Sequence, residues 1–222
     1  WERKDILERD ATKFRQLAIN TNHLATGDLH CMRRVLKQLG HITADTNVIS
    51  LKGRAACEIN TANELVASEL LFCGAFSGLE NPTIAAMLSC LVHTDKRNDS
   101  NVELRSQLHK PRQLLLDAAM RVGTAMMDAS LAVDVHEFAD SFNPELMELV
   151  FEWAGGASFA TVIQLSAAYE GTVIRVIRRL DELVRQLASA SAAVGNTELK
   201  AQFESTSMQI RRDIVFAASL YL

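Results

Sequence analysis

The chain has 222 residues, of which 48% are hydrophobic, and its formal net charge is −4. With only three prolines and ten glycines, this composition excludes a disordered protein. The acidic balance excludes binding of nucleic acid through a general basic surface, so any such site must be local. No apolar run is long enough to span a bilayer, and we expect no membrane partner. The four cysteines have no CxxC spacing, which is typical of reduced thiols in a cytosolic or nuclear protein.

The first 60 residues divide into a charged segment and a mixed segment. Residues 1–26 have few apolar positions and predict one arm of a helical hairpin or stalk. The chain begins at Trp1 without an initiator methionine, and we therefore expect a piece of a longer protein. Residues 27–60 predict a short helix and then a β-hairpin over 48–59, with Lys52-Gly53 at its turn. That order is typical of the closing part of a winged helix, although a separate hairpin packed on a helical body fits it equally well.

Residues 61–222 have helical patterns throughout. Thr61 and Glu64 have the spacing of a capping box. Asn81-Pro82 and Asn143-Pro144 each place a capping residue before a proline at the first helical position. Towards the end of the chain, two separate helices are predicted over 197–204 and 206–220. The predicted fold is therefore mainly α: a multi-helix bundle over 61–222, preceded by a stalk helix over 1–26 and a partial winged helix with one β-hairpin over 27–60.

The longest helical pattern covers residues 166–191, and Ser166 is its predicted cap. At 100° per residue, one line along this helix carries only apolar side chains, namely Val173, Ile177, Leu180, Val184 and Leu187. A second line on the other side is polar and consists of Arg175, Arg179, Glu182 and Gln186, with Arg178 and Arg185 beside it. Gly171 in the first turn costs about 1 kcal/mol relative to alanine, which predicts close packing of another helix or a ligand there.

Two interpretations of the polar line remain open from the residues alone. It fits a solvated helix face in which Arg178 pairs with Glu182 and Asp181 with Arg185, each pair contributing a few tenths of a kcal/mol. It also fits a surface that follows an anionic polymer, because the arginine guanidinium donates two parallel hydrogen bonds to phosphate and stacks on bases.

Motifs of catalysis are missing from the sequence. It contains no Gly-Lys dipeptide and hence no P-loop, and it has neither a GxGxxG nor an HExxH motif. Its six histidines are scattered and indicate surface or core positions rather than metal ligands. We therefore expect no catalytic residue, no metal site and no cofactor on this chain.

Several long blocks of the sequence resemble one known family. They include LKGRAACEI at 51–59, ELMELVFEWAGGASF at 145–159, EGTVIRVIRRLDELVRQ at 170–186 and RRDIVFAASLYL at 211–222. In this order they resemble the DSHCT helical domain of the DExH-box RNA helicases that feed the RNA exosome. That family includes the nuclear helicase of the TRAMP complex and its cytoplasmic superkiller-type relative.

The resemblance implies a function for the long helix. In the family this helix is the ratchet helix, which lies across the RNA where the strand leaves the motor domains. Its RNA contacts carry over onto Arg179 and Glu182, and we add Arg175, Arg178 and Gln186 as their neighbours on the helix. The implied partners are single-stranded RNA, the protein's own RecA-like motor domains, and the RNA exosome with its adaptor proteins. ATP and Mg²⁺ would bind the motor domains, which are absent from this chain.

The implied parent is a 3′-to-5′ RNA helicase located in the nucleus, or alternatively in the cytoplasm. A rival hypothesis is a protein-interaction or scaffold module that makes no direct contact with RNA. A helix-turn-helix DNA regulator is disfavoured by the acidic balance and by the many apolar residues of the long helix.

Overall fold

The computed structural model describes residues 27–93 and 104–216, so that the predicted stalk helix over 1–26 lies outside the described residues. Within them the regular structure is almost entirely helical, with one isolated antiparallel bridge between Ile42 and Ile49. In chain order the helices are α1 (27–38), α2 (Leu51–Cys57), α3 (Glu64–Phe72), α4 (Asn81–Val92), α5 (Ser106–Asp128), α6 (Val135–Asp140), α7 (Met147–Ala154), α8 (Phe159–Val162), α9 (Glu170–Ala193) and α10 (Thr197–Ile210). Short 3₁₀ turns follow α8 (Ile163–Leu165) and α10 (Asp213–Phe216). The predicted mainly α bundle is confirmed.

Helix α9 is buried along one face and exposed along the other. It packs against α10, α4 and α2, and α4 in turn packs against α7. The predicted apolar line is completely buried, with 0% exposure at each of Val173, Ile177, Leu180, Val184 and Leu187. Because burial of one such side chain contributes roughly 1.5–3 kcal/mol, this line fixes the orientation of α9 and leaves its opposite side facing outward.

The predicted β-hairpin over residues 48–59 is wrong. Residues Leu51–Cys57 form helix α2, whose cap is Ser50: its hydroxyl oxygen accepts a hydrogen bond from the Gly53 amide at 3.1 Å. Gly53 is not a turn residue but a point of close approach, since a Cβ there would overlap the carbonyl oxygen of His41. The winged helix, and the boundary between 27–60 and 61–222, stay predictions.

Several predicted helix ends are displaced. Helix α9 begins at Glu170 after Tyr169, and Ser166 instead accepts a hydrogen bond from the Ala168 amide at 3.0 Å. Helix α3 is capped by Asn63, whose side chain accepts from the Val66 amide, and not by Thr61. The two helices predicted over 197–204 and 206–220 are wrong, because one helix runs without a break over Thr197–Ile210.

The segment after α10 is held against the bundle by Arg212. Its guanidinium lies 3.8 Å from the centre of the Trp153 ring and donates hydrogen bonds to the carbonyl oxygens of Trp153 and Ala157. The indole N–H of Trp153 donates to the Ile210 carbonyl at 3.0 Å. Trp153 is fully buried, so these contacts tie the final 3₁₀ turn to a rigid part of the core and place that turn beside α9.

Candidate nucleic-acid interface

The five predicted RNA-contacting residues all lie on the outward side of α9, but the structure divides them among three positions. Arg179 and Gln186 form the loop-facing edge, which adjoins the connection between α2 and α3. Arg175 and Glu182 form the crest, which faces away from the bundle and is exposed. Arg178 lies on the opposite edge, beside the 3₁₀ turn Asp213–Phe216. This edge, which also carries Arg185, is called the C-terminal edge because of that turn.

The side chain of Gln186, on the loop-facing edge, forms its hydrogen bonds within the protein. Its amide oxygen accepts from the backbone N–H groups of Asn60 at 2.9 Å and Thr61 at 3.0 Å. Its amide nitrogen donates to the Asn60 side-chain oxygen at 2.6 Å and to the Thr61 hydroxyl at 2.7 Å. Two donor and two acceptor positions are the full capacity of this amide group, so its geometry is that of a clamp on the connecting loop.

Arg179 lies on the same edge but keeps part of its hydrogen-bonding capacity. One terminal nitrogen donates to the Thr61 carbonyl oxygen at 3.0 Å, and the residue is half-buried. A guanidinium carries five N–H donors, of which this bond uses one. Arg179 is therefore fixed in direction by the loop while it keeps donors for a further acceptor.

The crest is exposed to solvent. Arg175 is exposed and donates to the Thr172 hydroxyl at 3.3 Å, one turn closer to the start of the helix. Glu182 is exposed and lies between the two edges. Gly171 at the start of the helix has no atom within 4 Å of the place where a Cβ would stand, so among the described residues the predicted close packing of another helix is not found.

A buried carboxylate organises the C-terminal edge. Asp181 is 2% exposed, and it accepts hydrogen bonds from the Ser207 hydroxyl at 2.6 Å and from Arg185 Nε at 3.2 Å. Arg211 Nε lies 3.8 Å from the same carboxylate. Arg178 Nε donates to the Val215 carbonyl at 2.6 Å. The three arginines are thereby held around a cleft of about 320 Å³.

The sequence predicted Asp181 as a surface partner of Arg185, and only the pairing is confirmed. A signal for its burial was present, because Asp181 lies four residues after Ile177 and three before Val184, next to the apolar line. Arg211 and Phe216 of this cleft were not predicted as site residues, since no local pattern relates residue 211 to residue 181.

Among residues 27–93 and 104–216, no three side chains of His, Cys, Asp or Glu lie where they could hold a metal ion together. None of the helices in the described part of the chain is both long and apolar enough to cross a membrane. Cys31, Cys57, Cys73 and Cys90 are all free thiols, as the sequence predicted.

Comparison with known proteins gives one consistent result. Residues 46–217 match the DSHCT (NUC185) domain. The chain is 46% identical over 190 residues to the DExH-box ATP-dependent RNA helicase DExH10 of Arabidopsis thaliana, a match that covers 85% of this chain and 19% of the relative. It is 43% identical over 217 residues to the ATP-dependent RNA helicase mtr4 of Schizosaccharomyces pombe, covering 98% and 19%. Exosome RNA helicase MTR4 of Homo sapiens is 42% identical over 199 residues, covering 90% and 19%. The chain thus spans about a fifth of the length of these relatives.

Proposed function

The chain belongs to the DSHCT domain family, and from this membership we propose that it is the C-terminal helical domain of an ATP-dependent RNA helicase. The observation that carries the proposal is the 42–46% identity to RNA helicases over at least 85% of the chain. The parent protein would unwind RNA in the 3′-to-5′ direction and deliver it to the RNA exosome. The human relative, an exosome RNA helicase by name, supports the exosome as the destination.

In this proposal, the outward side of α9 lines the exit channel of the RNA strand. Arg175, Arg178 and Arg179 would hold phosphates or stack on bases without reading the sequence. Glu182 would accept a hydrogen bond from a base or a 2′-hydroxyl, and it would orient a neighbouring arginine. Gln186 would contribute by holding the loop at residues 60–61, because its four hydrogen bonds are made inside the protein. The buried apolar line opposite these residues keeps them directed at the strand.

The remaining parts of the proposal concern the whole protein. Residues 1–26 would be the returning stalk helix, and residues 27–60 the end of the winged helix. ATP and Mg²⁺ would bind RecA-like motor domains outside this chain, against which this domain would pack. The exosome and its adaptor proteins would be the partners, and the nucleus the location, with the cytoplasm as the alternative.

One observation favours the rival hypothesis of a protein-interaction module. The loop-facing edge of α9 is largely engaged in contacts inside the protein, as expected for a face whose polar residues have a structural role. Both hypotheses can be separated by crosslinking the full-length protein to single-stranded RNA that carries photoreactive bases. Adducts on α9 support the RNA channel, and adducts confined to the motor domains favour the interaction module.

The decisive variant is Arg179→Ala in the full-length protein. We expect unwinding of a duplex with a 3′ overhang to fall several-fold while ATP binding is unchanged. The lost contact would be to an RNA phosphate or base, whereas the proposed ATP site is on the motor domains outside this chain. Unwinding at the level of the unmodified protein would refute the proposed contact.

Arg179 also holds the loop at residues 60–61, so a matched control is required. Asn60→Ala removes one hydrogen bond to Gln186 and loosens the same loop without changing any charge on α9. If Asn60→Ala lowers unwinding as much as Arg179→Ala does, the effect comes from the loop and not from RNA. Arg175→Ala, on the crest, is expected to lower unwinding without disturbing that loop.

A further inference from the structure

The cleft on the C-terminal edge of α9 includes Arg178 and Glu182 of the predicted RNA contacts and adds Arg185, Arg211 and Phe216, which were not among them. It is lined by Arg178, Asp181, Glu182, Arg185, Arg211 and Phe216. Three guanidinium groups face two carboxylates, and one of these carboxylates, Asp181, is almost fully buried beneath the arginines. The accessible rim of the cleft therefore carries more positive than negative charge.

Asp181 fixes the direction of two of these arginines. Arg185 approaches the carboxylate through Nε at 3.2 Å, and Arg211 through Nε at 3.8 Å. The side chains of both arginines are more than half exposed, at 57% and 54%. Among the described residues, the contacts of both arginines with Asp181 use Nε, which leaves their terminal amino groups for an outside acceptor. A pair of such groups at fixed positions matches the oxygens of a phosphate.

An aromatic ring completes the cleft. The guanidinium carbon of Arg211 lies 5.7 Å from the centre of the half-buried Phe216 ring. The ring belongs to the 3₁₀ turn that Arg212 ties to Trp153 and that Arg178 ties to α9. Cationic groups beside a fixed aromatic ring are the combination by which proteins bind single-stranded nucleic acid without sequence preference.

We propose that this cleft is a binding site for one nucleotide of a single-stranded RNA, with its phosphate on Arg185 and Arg211 and its base on Phe216. The inference rests on the proposed function, because the same helix would carry the strand from the crest onto this edge. Asp181 is a positioning residue that directs the two arginines and does not itself touch the RNA. An acidic peptide would use the arginines but would gain nothing from the ring.

The test measures the affinity of the full-length protein for a single-stranded oligonucleotide at several salt concentrations. In the variant Arg185→Gln with Arg211→Gln, we expect affinity to fall about tenfold at 0.1 M salt. The slope of log affinity against log salt should decrease by about 0.7, because the contact with one phosphate of a single strand is lost. A merely structural role of the two arginines would not change this slope, so an unchanged slope overturns the proposal.

Two further variants make the result specific. Phe216→Leu should weaken binding about fivefold or more with the slope unchanged, because stacking involves no counterion release. Arg33→Gln with Arg54→Gln removes the same charge from exposed arginines of α1 and α2, and it should leave the slope as it is. An equal loss of slope in this control would show a general charge effect and would overturn the assignment.

Failure of this inference can be told apart from failure of the proposed function. If Arg179→Ala lowers unwinding but the Arg185 and Arg211 variant keeps its salt slope, the proposed RNA channel is supported and the proposed nucleotide site in the cleft is refuted. If no α9 residue crosslinks to RNA and neither variant has an effect, both fail. If the double variant loses binding to a polyglutamate peptide with an unchanged RNA slope, the cleft docks protein and the proposal is wrong.

Discussion

The two edges of α9 carry the same kinds of residues and use them differently. On the loop-facing edge, Gln186 makes four hydrogen bonds to Asn60 and Thr61, and Arg179 adds one to the Thr61 carbonyl. On the C-terminal edge, a buried carboxylate engages Arg185 through Nε, and the rest of that guanidinium faces the cleft. The first arrangement fastens one segment of the chain to another, whereas the second holds donors ready for something else.

The difference teaches that an arginine-rich helix face need not be a single functional surface. The polarity of each residue follows from its angle around α9, but its task follows from what lies beside it. A connecting loop lies beside Gln186, and the 3₁₀ turn Asp213–Phe216 lies beside Arg178. Perturbing Gln186 should therefore change stability, whereas perturbing Arg179, the crest or the other edge should change the handling of RNA.

The largest expected effect is a loss of stability at low pH, which tests how firmly the segment before Thr61 is attached to the bundle. His41 is buried and its Nε2 lies 2.8 Å from the Ser68 hydroxyl of α3. Burial, together with the charge of Lys52, lowers the pKa of His41 to about 4, while Glu69 opposes that change. The unfolded chain therefore binds this proton between about pH 6.5 and 4 while the folded protein does not, and stability falls as the pH falls through that range.

Denaturant unfolding should show a contribution of about 2 kcal/mol from His41, lost between pH 8 and pH 5. The variant His41→Gln is the control, because it removes this titration and leaves the other histidines in place. If both proteins lose stability equally over that range, the segment opens locally without cost to the bundle, and the loop-facing edge is not a firm attachment.

The second prediction concerns Gln186→Ala on the same edge. Removal of the amide leaves the N–H groups of Asn60 and Thr61 without their acceptor, and we expect a loss of about 1–2 kcal/mol in the free energy of unfolding. Gln186→Glu keeps an acceptor for both N–H groups and should lose less. Gln209→Ala, at an exposed position of α10, should have no measurable effect in the same urea titration. Equal stability of the Gln186 and Gln209 variants would contradict the clamp.

The smallest expected effect on stability belongs to Glu182→Gln on the crest. Glu182 is exposed, and substitutions at such positions usually change the free energy of unfolding by less than about 0.5 kcal/mol. The same variant should alter RNA unwinding by the full-length protein, because the proposed acceptor of a base or 2′-hydroxyl is weakened. A loss of stability above about 1 kcal/mol would place Glu182 with the structural residues and remove the contrast between crest and edge.

The apolar half of α9 could be predicted because its signal is local. Positions that recur every three or four residues must lie on one side of any helix, and all five of them are buried. The same rule placed the polar line on the outward side. It could not say which polar residues are engaged, because Thr61 is 125 residues away from Gln186.

The β-hairpin shows the opposite case. The apolar residues of 48–51 and Lys52-Gly53 are a typical local signal for a hairpin, but Ser50 caps a helix and Gly53 lies against the His41 carbonyl. A glycine is needed at a tight turn and also where two backbones touch, and the sequence does not distinguish the two uses. Packing of α2 on α3 and α9 outweighs the weak local preference of so short a segment.

By itself, the sequence determined that this chain is a helical bundle with one long amphipathic helix, and its motif blocks indicated the family. Those properties depend on periodicity and residue type, which are contained in each segment. Only the tertiary structure decided that Asp181 lies beneath two arginines and that Gln186 holds a distant loop. Such roles are set by contacts between residues far apart in the chain, and a local pattern carries no information about them.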